Sequence, residues 1–258
     1  MSHKSWNWVC LGVLLLALQN RVPGATLLQY DAAGGGTPED VGWQRFGTPM
    51  TNPGNKLVQD NTAVAGEQSG EYRSPELLAG TFTRGGAAYG IEFKVQPLTD
   101  VQFLGSDWPQ TYLSWSDDQF NYNITVDKFS AGNSSGTGDI VYGKGSFSPA
   151  ITAIDWTAPH TVFIGYRSGS VFDFYLDGTL KSTITEGSIG RAFDAFYFNR
   201  IDFGDGTTAN ADVAADWYSV SVYDVNNPAL VPEPTSLALA GLASLGLMRR
   251  RRRPRAAV

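Results

Sequence analysis

Carboxylates and aromatic rings are the residues of this chain with chemistry to offer. Cleaving a glycosidic bond takes two carboxyl groups aimed at one bond, about 5–10 Å apart. Glu92 is followed by Lys94 rather than by a second acid, and Asp117 and Asp118 point to opposite faces of an extended backbone. No Glu-x-Asp-x-x-Glu cluster occurs, so catalysis is not expected. The two histidines are His3 and His160, too few for a multi-histidine metal site or a histidine-based triad with spares. His160 follows Ala158-Pro159 at the start of an apolar run and reads as structural.

Two binding chemistries remain. Asp202-Phe203-Gly204-Asp205-Gly206 offers carboxylate and carbonyl oxygens that suit Ca²⁺, with Asp202 and Asp205 as ligands, although Asp and Gly at this density also make ordinary turns. Trp108, Tyr112, Trp115 and Trp156 lie in or beside expected loops, where aromatic faces can stack on pyranose rings; the competing reading is that such rings fill the core. The Gly-rich stretches 34–36 and 132–138 do not follow a strand–turn–helix pattern and read as connections rather than phosphate loops.

The elements that would carry these residues are strands. Trp217-Tyr218-Ser219-Val220-Ser221-Val222-Tyr223 alternates with period two, which assigns Tyr218, Val220 and Val222 to one face and Trp217, Ser219, Ser221 and Tyr223 to the other. Val171 to Leu176 alternates likewise, and Asp177-Gly178 supplies the positive φ of a tight hairpin before Thr179 to Ile184 returns. Further strands are expected at Leu27–Tyr30, Ala88–Val95, Thr111–Trp115, Tyr122–Phe129, His160–Tyr166 and Phe196–Phe203, separated by Gly, Asn, Asp or Pro. Dense short strands with few helix signals predict an all-β, two-sheet antiparallel jelly-roll sandwich over residues 26–228.

The two ends differ from this middle. Trp8 to Leu18 is an apolar run of about 11 residues behind Lys4, the length of a secretory signal core rather than a membrane span, and Val22-Pro23-Gly24-Ala25 offers small residues for signal peptidase. Residues 1–25 are therefore expected to be a signal peptide with its signal helix, read by the secretion machinery. Cys10, the single cysteine, leaves with it, so the mature domain has no disulfide.

At the other end, Val231-Pro232-Glu233-Pro234 precedes the apolar segment Thr235–Met248 and the block Arg249, Arg250, Arg251, Arg252 and Arg253. The two prolines keep Glu233 extended and accessible. As a helix, Thr235–Met248 would rise about 21 Å, a short transmembrane helix against a hydrocarbon core of about 30 Å. The arginines act as a stop-transfer signal and stay cytoplasmic, which leaves the β domain outside.

Charge agrees with this layout. The chain has a formal net charge of −6, but the stretch Ala25–Leu230 holds 24 acidic residues against 11 basic, a balance of −13. A domain that acidic is not a partner for nucleic acid.

The order Val-Pro-Glu-Pro, short Leu/Ala/Gly helix and arginine run resembles the PEP-CTERM sorting domain of bacterial exported proteins. That resemblance, over residues 229–258, implies recognition and processing by an exosortase near Pro232–Pro234, in cells that typically make exopolysaccharide. The run Phe174-Tyr175-Leu176-Asp177-Gly178, then Ile201-Asp202-Phe203-Gly204, then Asp216 to Asp224, resembles the second half of concanavalin A-like, laminin G-like jelly rolls. It implies two curved sheets that take sugar or protein ligands on a concave face or a loop rim. The expectation is an exported protein of the cell envelope or extracellular matrix. It is anchored in the membrane before processing and binds exopolysaccharide, a structural or adhesive role and a glycan-cleaving one being the alternatives.

Overall fold

The computed structural model describes residues 26–60, 70–78, 80–83, 88–98, 111–127, 138–144, 146–167, 170–192, 198–205 and 214–224. All belong to a compact unit spanning Pro23–Asn226; a second unit, 1–22 with 227–258, lies outside the described residues, and with it the expected signal helix and transmembrane helix. Among the described residues no helix is long and apolar enough to cross a membrane.

Among the described residues fifteen strands run in chain order. They are β1 (Thr26–Asp31), β2 (Gln44–Gly47), β3 (Leu57–Asp60), β4 (Gly70–Arg73), β5 (Tyr89–Pro97), β6 (Tyr112–Ser116), β7 (Phe120–Asp127) and β8 (Gly138–Lys144). After them come β9 (Ser146–Ile154), β10 (His160–Arg167), β11 (Val171–Leu176), β12 (Thr179–Thr185), β13 (Gly190–Ala192), β14 (Ile201–Gly204) and β15 (Ala214–Asp224), with one helical turn, α1 (Glu186–Ile189), after β12. The first sheet has the order β1-β15-β5-β10-β11-β12, with β3 also on β15; the second is β2-β4-β14-β6-β7-β8-β9, with β13 on β7. Every strand pair is antiparallel, and the first strand pairs with the last, Tyr30 opposite Val220 and Asp31 opposite Ser219. The two-sheet antiparallel sandwich read from the sequence is what forms.

The inward residues of both sheets make two aromatic clusters. In one, Phe203 of β14 meets Trp217 at 4.9 Å, Trp43 at 5.2 Å and Tyr72 at 5.8 Å between ring centres. In the other, Phe172 of β11 meets Tyr166 at 5.0 Å, Tyr122 at 5.1 Å and Trp115 at 5.8 Å. Each fully buried ring of this size contributes about 1.5–3 kcal/mol by removal of its surface from water, which is what holds the two sheets face to face.

Local chemistry explains the turns. Asp177 and Gly178 both have positive φ, 49° and 77°, and join β11 to β12 in the two-residue turn expected. Asn199 has φ 55° inside the protein, and its side-chain amide donates to the Leu77 and Leu78 carbonyls, pinning those two residues beside the second sheet. Of the strand expected over Phe196–Phe203, residues 196–197 lie outside the described residues, and the strand that forms runs Ile201–Gly204.

One face assignment is corrected. Trp217 sits opposite Val95 while Ser219 sits opposite Lys94, so Tyr218 is an extra residue in β15, a β-bulge. The bulge resets the alternation. Trp217 therefore joins Val220 and Val222 in the core, and Tyr218 turns outward with the Lys94 ammonium 5.3 Å from its ring centre.

Candidate functional site

The residues expected to stack on sugar are not gathered into one surface. Trp115 faces the core, fully buried, with its indole N–H donated to the Tyr89 hydroxyl at 2.9 Å. Its ring stacks on Tyr122 and makes an edge contact with Phe172 inside the core, so it is no sugar platform. Tyr112 is buried on the opposite side of the second sheet, and Trp156 is buried with its ring edge-on to His160. Trp108 lies outside the described residues. Alternation of aromatic and polar residues at these positions reflects core filling, which is where large rings go when a sheet needs volume.

The Ca²⁺ reading of Asp202 gives way to an ion pair. Arg73 of β4 donates through Nε to Asp202 Oδ1 at 2.8 Å and through a terminal nitrogen to Asp202 Oδ2 at 3.0 Å, so a guanidinium stands where the cation was expected. Asp205 is buried, with its backbone N–H donated to the Gly70 carbonyl. Among the described residues no group of three or more His, Cys, Asp or Glu side chains is arranged to hold a metal ion.

The ion pair belongs to a polar cluster on the outer side of the second sheet. Register places Gln44, Arg73, Asp202, Ser114 and Asn123 in one row across β2, β4, β14, β6 and β7, and Phe46, Glu71, Gly204, Tyr112 and Thr125 in the next. Glu71 accepts from Arg73 at 3.1 Å, and the guanidinium lies 4.6 Å from the Phe46 ring centre. Burial raises the Asp202 carboxyl to about 7 despite Arg73, and raises Glu71 for the same reason. Thr125 Oγ is fully buried with no hydrogen-bond partner among the described residues. The cluster is electrostatically rich but closed: Arg73 and Asp202 are almost wholly buried and spend their charge on each other, and only Glu71, Phe46 and Gln44 reach towards solvent.

The outer face of the first sheet is partly open, with Phe163 and Glu92 half-buried and Tyr175 and Ser221 buried. Here Tyr175, Phe163, Glu92 and Ser221 form a row across β11, β10, β5 and β15, flanked by Tyr223 on one side and by Lys94 with Tyr218 on the other. Gly165 is what lets Phe163 lie down on the sheet, because a Cβ at 165 would come within 3.1 Å of the Phe163 ring. Phe163, Tyr218 and Tyr223 are half-buried, and Tyr223 donates to Glu92 at 3.3 Å. Sequence reasoning passed over these rings. The signal was present for Phe163 and Tyr223, which occupy the outward phase of their strands, but Tyr218 needed the bulge to reach that face.

A third locus closes the far end of the β11–β12 hairpin. His160 Nδ1 lies 2.6 Å from Asp177 Oδ2 and Nε2 lies 2.8 Å from the Asp155 carbonyl. Both partners are acceptors, so both contacts are hydrogen bonds only in the imidazolium form. Partial burial works against that charge, but the Asp177 and Asp155 contacts raise the His160 pKa above its ordinary value.

Comparison with known proteins bears on both parts of the chain. The PEP-CTERM protein-sorting motif matches residues 230–253, taking in Val231-Pro232-Glu233-Pro234 and the arginine block. No curated protein matches the chain as a whole. Among solved structures, a carbohydrate esterase from the Shiga toxin-encoding bacteriophage phi24B superposes with a TM-score of 0.57 at 16% identity, over 77% of this chain and 98% of that one. A native glycosidic hydrolase follows at TM-score 0.48 and 14% identity, over 78% and 95%. The binding domain of botulinum neurotoxin serotype D gives 0.48 at 10% identity, over 78% of this chain and 47% of its own. At such identities the phage protein speaks for the fold alone. The chain is an antiparallel β-sandwich protein that ends in a PEP-CTERM protein-sorting motif, the mark of an exported, C-terminally anchored exosortase substrate.

Proposed function

We propose that this protein is a non-catalytic, polysaccharide-binding component of the bacterial envelope or extracellular matrix, delivered there by its sorting motif. On this reading the signal peptide starts export, the C-terminal helix holds the chain in the membrane, and an exosortase releases it near Pro232–Pro234. The observation that carries the binding part is the outer face of the first sheet. There the half-buried rings of Phe163, Tyr218 and Tyr223 stand among Glu92, Lys94 and Gln96, apolar platforms beside hydrogen-bonding groups. That combination suits a sugar chain, whose rings have apolar faces and hydroxyl rims.

Retardation of the protein on insoluble glycans, with Tyr and Trp fluorescence as a second readout, tests it. Phe163→Ala and Tyr223→Ala should each weaken binding by about tenfold, or about 1.4 kcal/mol, with the fold intact. Retention unchanged by both substitutions would move the glycan elsewhere, and release of reducing sugar would make the protein an enzyme. A purely structural role is favoured by the closure of the second sheet's polar cluster, and it predicts no retardation at all. For sorting, the intact mass in the native cells should show a C-terminus near Pro232–Pro234. Replacing Arg249–Arg253 by Ala should leave it unprocessed or mislocalised.

A further inference from the structure

A second group of buried acids lies apart from both candidate surfaces. Tyr122 of β7, fully buried, places its hydroxyl 2.5 Å from Asp117 Oδ2 and 2.9 Å from Glu186 Oε1. Asp117 opens the turn between β6 and β7 in the second sheet; Glu186 opens α1 at the end of the first sheet, where its backbone N–H is donated to the Ser170 carbonyl. A tyrosine hydroxyl has one hydrogen. It cannot donate to two carboxylates, and two ionised oxygens that close to it would leave one pair of lone pairs facing each other.

The remaining hydrogen bonds say where the missing proton sits. Asp117 Oδ1 already accepts the backbone N–H groups of Gln119 at 2.7 Å and Phe120 at 2.6 Å, which leaves Oδ2 as the protonated oxygen. Glu186 Oε1 also accepts from the Tyr166 hydroxyl at 3.4 Å, so it is the acceptor end. We propose that Asp117 Oδ2–H donates to Tyr122 Oη, whose own hydrogen is donated to Glu186 Oε1, a proton relay that fastens one sheet to the other and comes undone when Asp117 ionises.

The surroundings favour this arrangement. Tyr89 of β5 and Tyr166 of β10 stack at 4.9 Å beside the relay, with Trp115 of β6 donating to Tyr89 and Phe172 of β11 packed on Tyr122. Burial raises Asp117 and outweighs the Tyr122 hydroxyl and the Gln119 and Phe120 N–H groups, which pull it down, and the nearby Glu186 charge adds to the rise. A carboxyl raised in the folded protein holds a proton that the unfolded chain has lost, so its contribution is present in acid and disappears as pH climbs through the raised value. The joint is therefore tight below the raised Asp117 value and loosens as pH climbs above it.

The test uses the full chain, with detergent for its apolar ends. ¹³C NMR of the Asp117 carboxyl should titrate with a midpoint above the ordinary aspartate value of about 3.9, and a midpoint at or below it overturns the proposal whatever any variant does. Asp117→Asn replaces the proton donor by an amide N–H and should stay folded. Above the ordinary aspartate value its unfolding equilibrium constant should rise less steeply with pH than the wild type's, by up to tenfold per pH unit. An Asp117→Asn profile parallel to wild type would equally refute the relay.

Discussion

Asp202→Asn is the substitution whose effect follows most directly from the geometry. In the folded protein Asp202 is about 1% exposed and titrates at about 7, because burial outweighs what Arg73 does to keep it charged. In the unfolded chain it titrates near 3.9. Between those values the native state holds a proton that the unfolded state has released, so stability falls as pH rises, by up to about 1.4 kcal/mol per pH unit. Over about three units that is on the order of 3–4 kcal/mol, a large share of a typical 5–15 kcal/mol total. Asn removes the titration. It keeps an acceptor for the Arg73 Nε–H but turns an N–H₂ towards the nitrogen that Oδ2 bound, a loss of about 1–2 kcal/mol that does not depend on pH. Urea unfolding followed by Trp fluorescence should therefore show wild type ahead at pH 4.5 and the variant overtaking it by pH 7.5. A gap between the two that stays constant across this range would refute the reasoning, because it would mean that the buried carboxyl titrates alike in both states.

Three other perturbations have defined outcomes. Gly204→Ala puts a Cβ 2.2 Å from the Gly70 carbonyl oxygen at a φ of 127°, so β14 must move off β4, and denaturant unfolding should show a loss of more than about 2 kcal/mol. Trp217→Phe removes the indole N–H that Gln59 Oε1 accepts at 2.9 Å; since Gln59 Nε2 already has no partner, the buried amide is stranded, costing about 2–4 kcal/mol, and Gln59→Met in the same background should recover part of it. His160→Gln should lower the thermal midpoint slightly below pH 6 and leave it unchanged well above the raised His160 value, where the wild-type contribution is lost too. The half-exposed Asp177 partner keeps that contribution under about 1 kcal/mol.

What the sequence disclosed depended on how local the cause was. The Asp177–Gly178 turn needs two adjacent residues of positive φ, and the residues themselves announce it. The sorting motif is equally local, a contiguous run that needs no fold to be recognised. Strict alternation puts Trp217 on the outward face, but one extra residue, Tyr218, resets the period-two pattern, and nothing in the alternation distinguishes a bulge from a regular strand. The Arg73–Asp202 pair joins residues 129 positions apart, and the pairing of β4 with β14 that brings them together is a property of the sheet order. Trp115 illustrates the limit for side chains: a tryptophan beside a loop and a tryptophan in the core have the same neighbours in sequence, and only the packing of Tyr122 and Phe172 against it separates them.

The pairing of the first strand with the last also sets a clock. β1 begins at Thr26 and its partner β15 ends at Asp224, so the edge of the first sheet cannot close until nearly the whole domain has been synthesised. At about 5–20 residues per second, that wait is on the order of ten to forty seconds after the N-terminal segment emerges. Throughout it the first sheet lacks the strand that bridges β1 to β5, so β1, β3 and β5, made long before, all wait for one common partner.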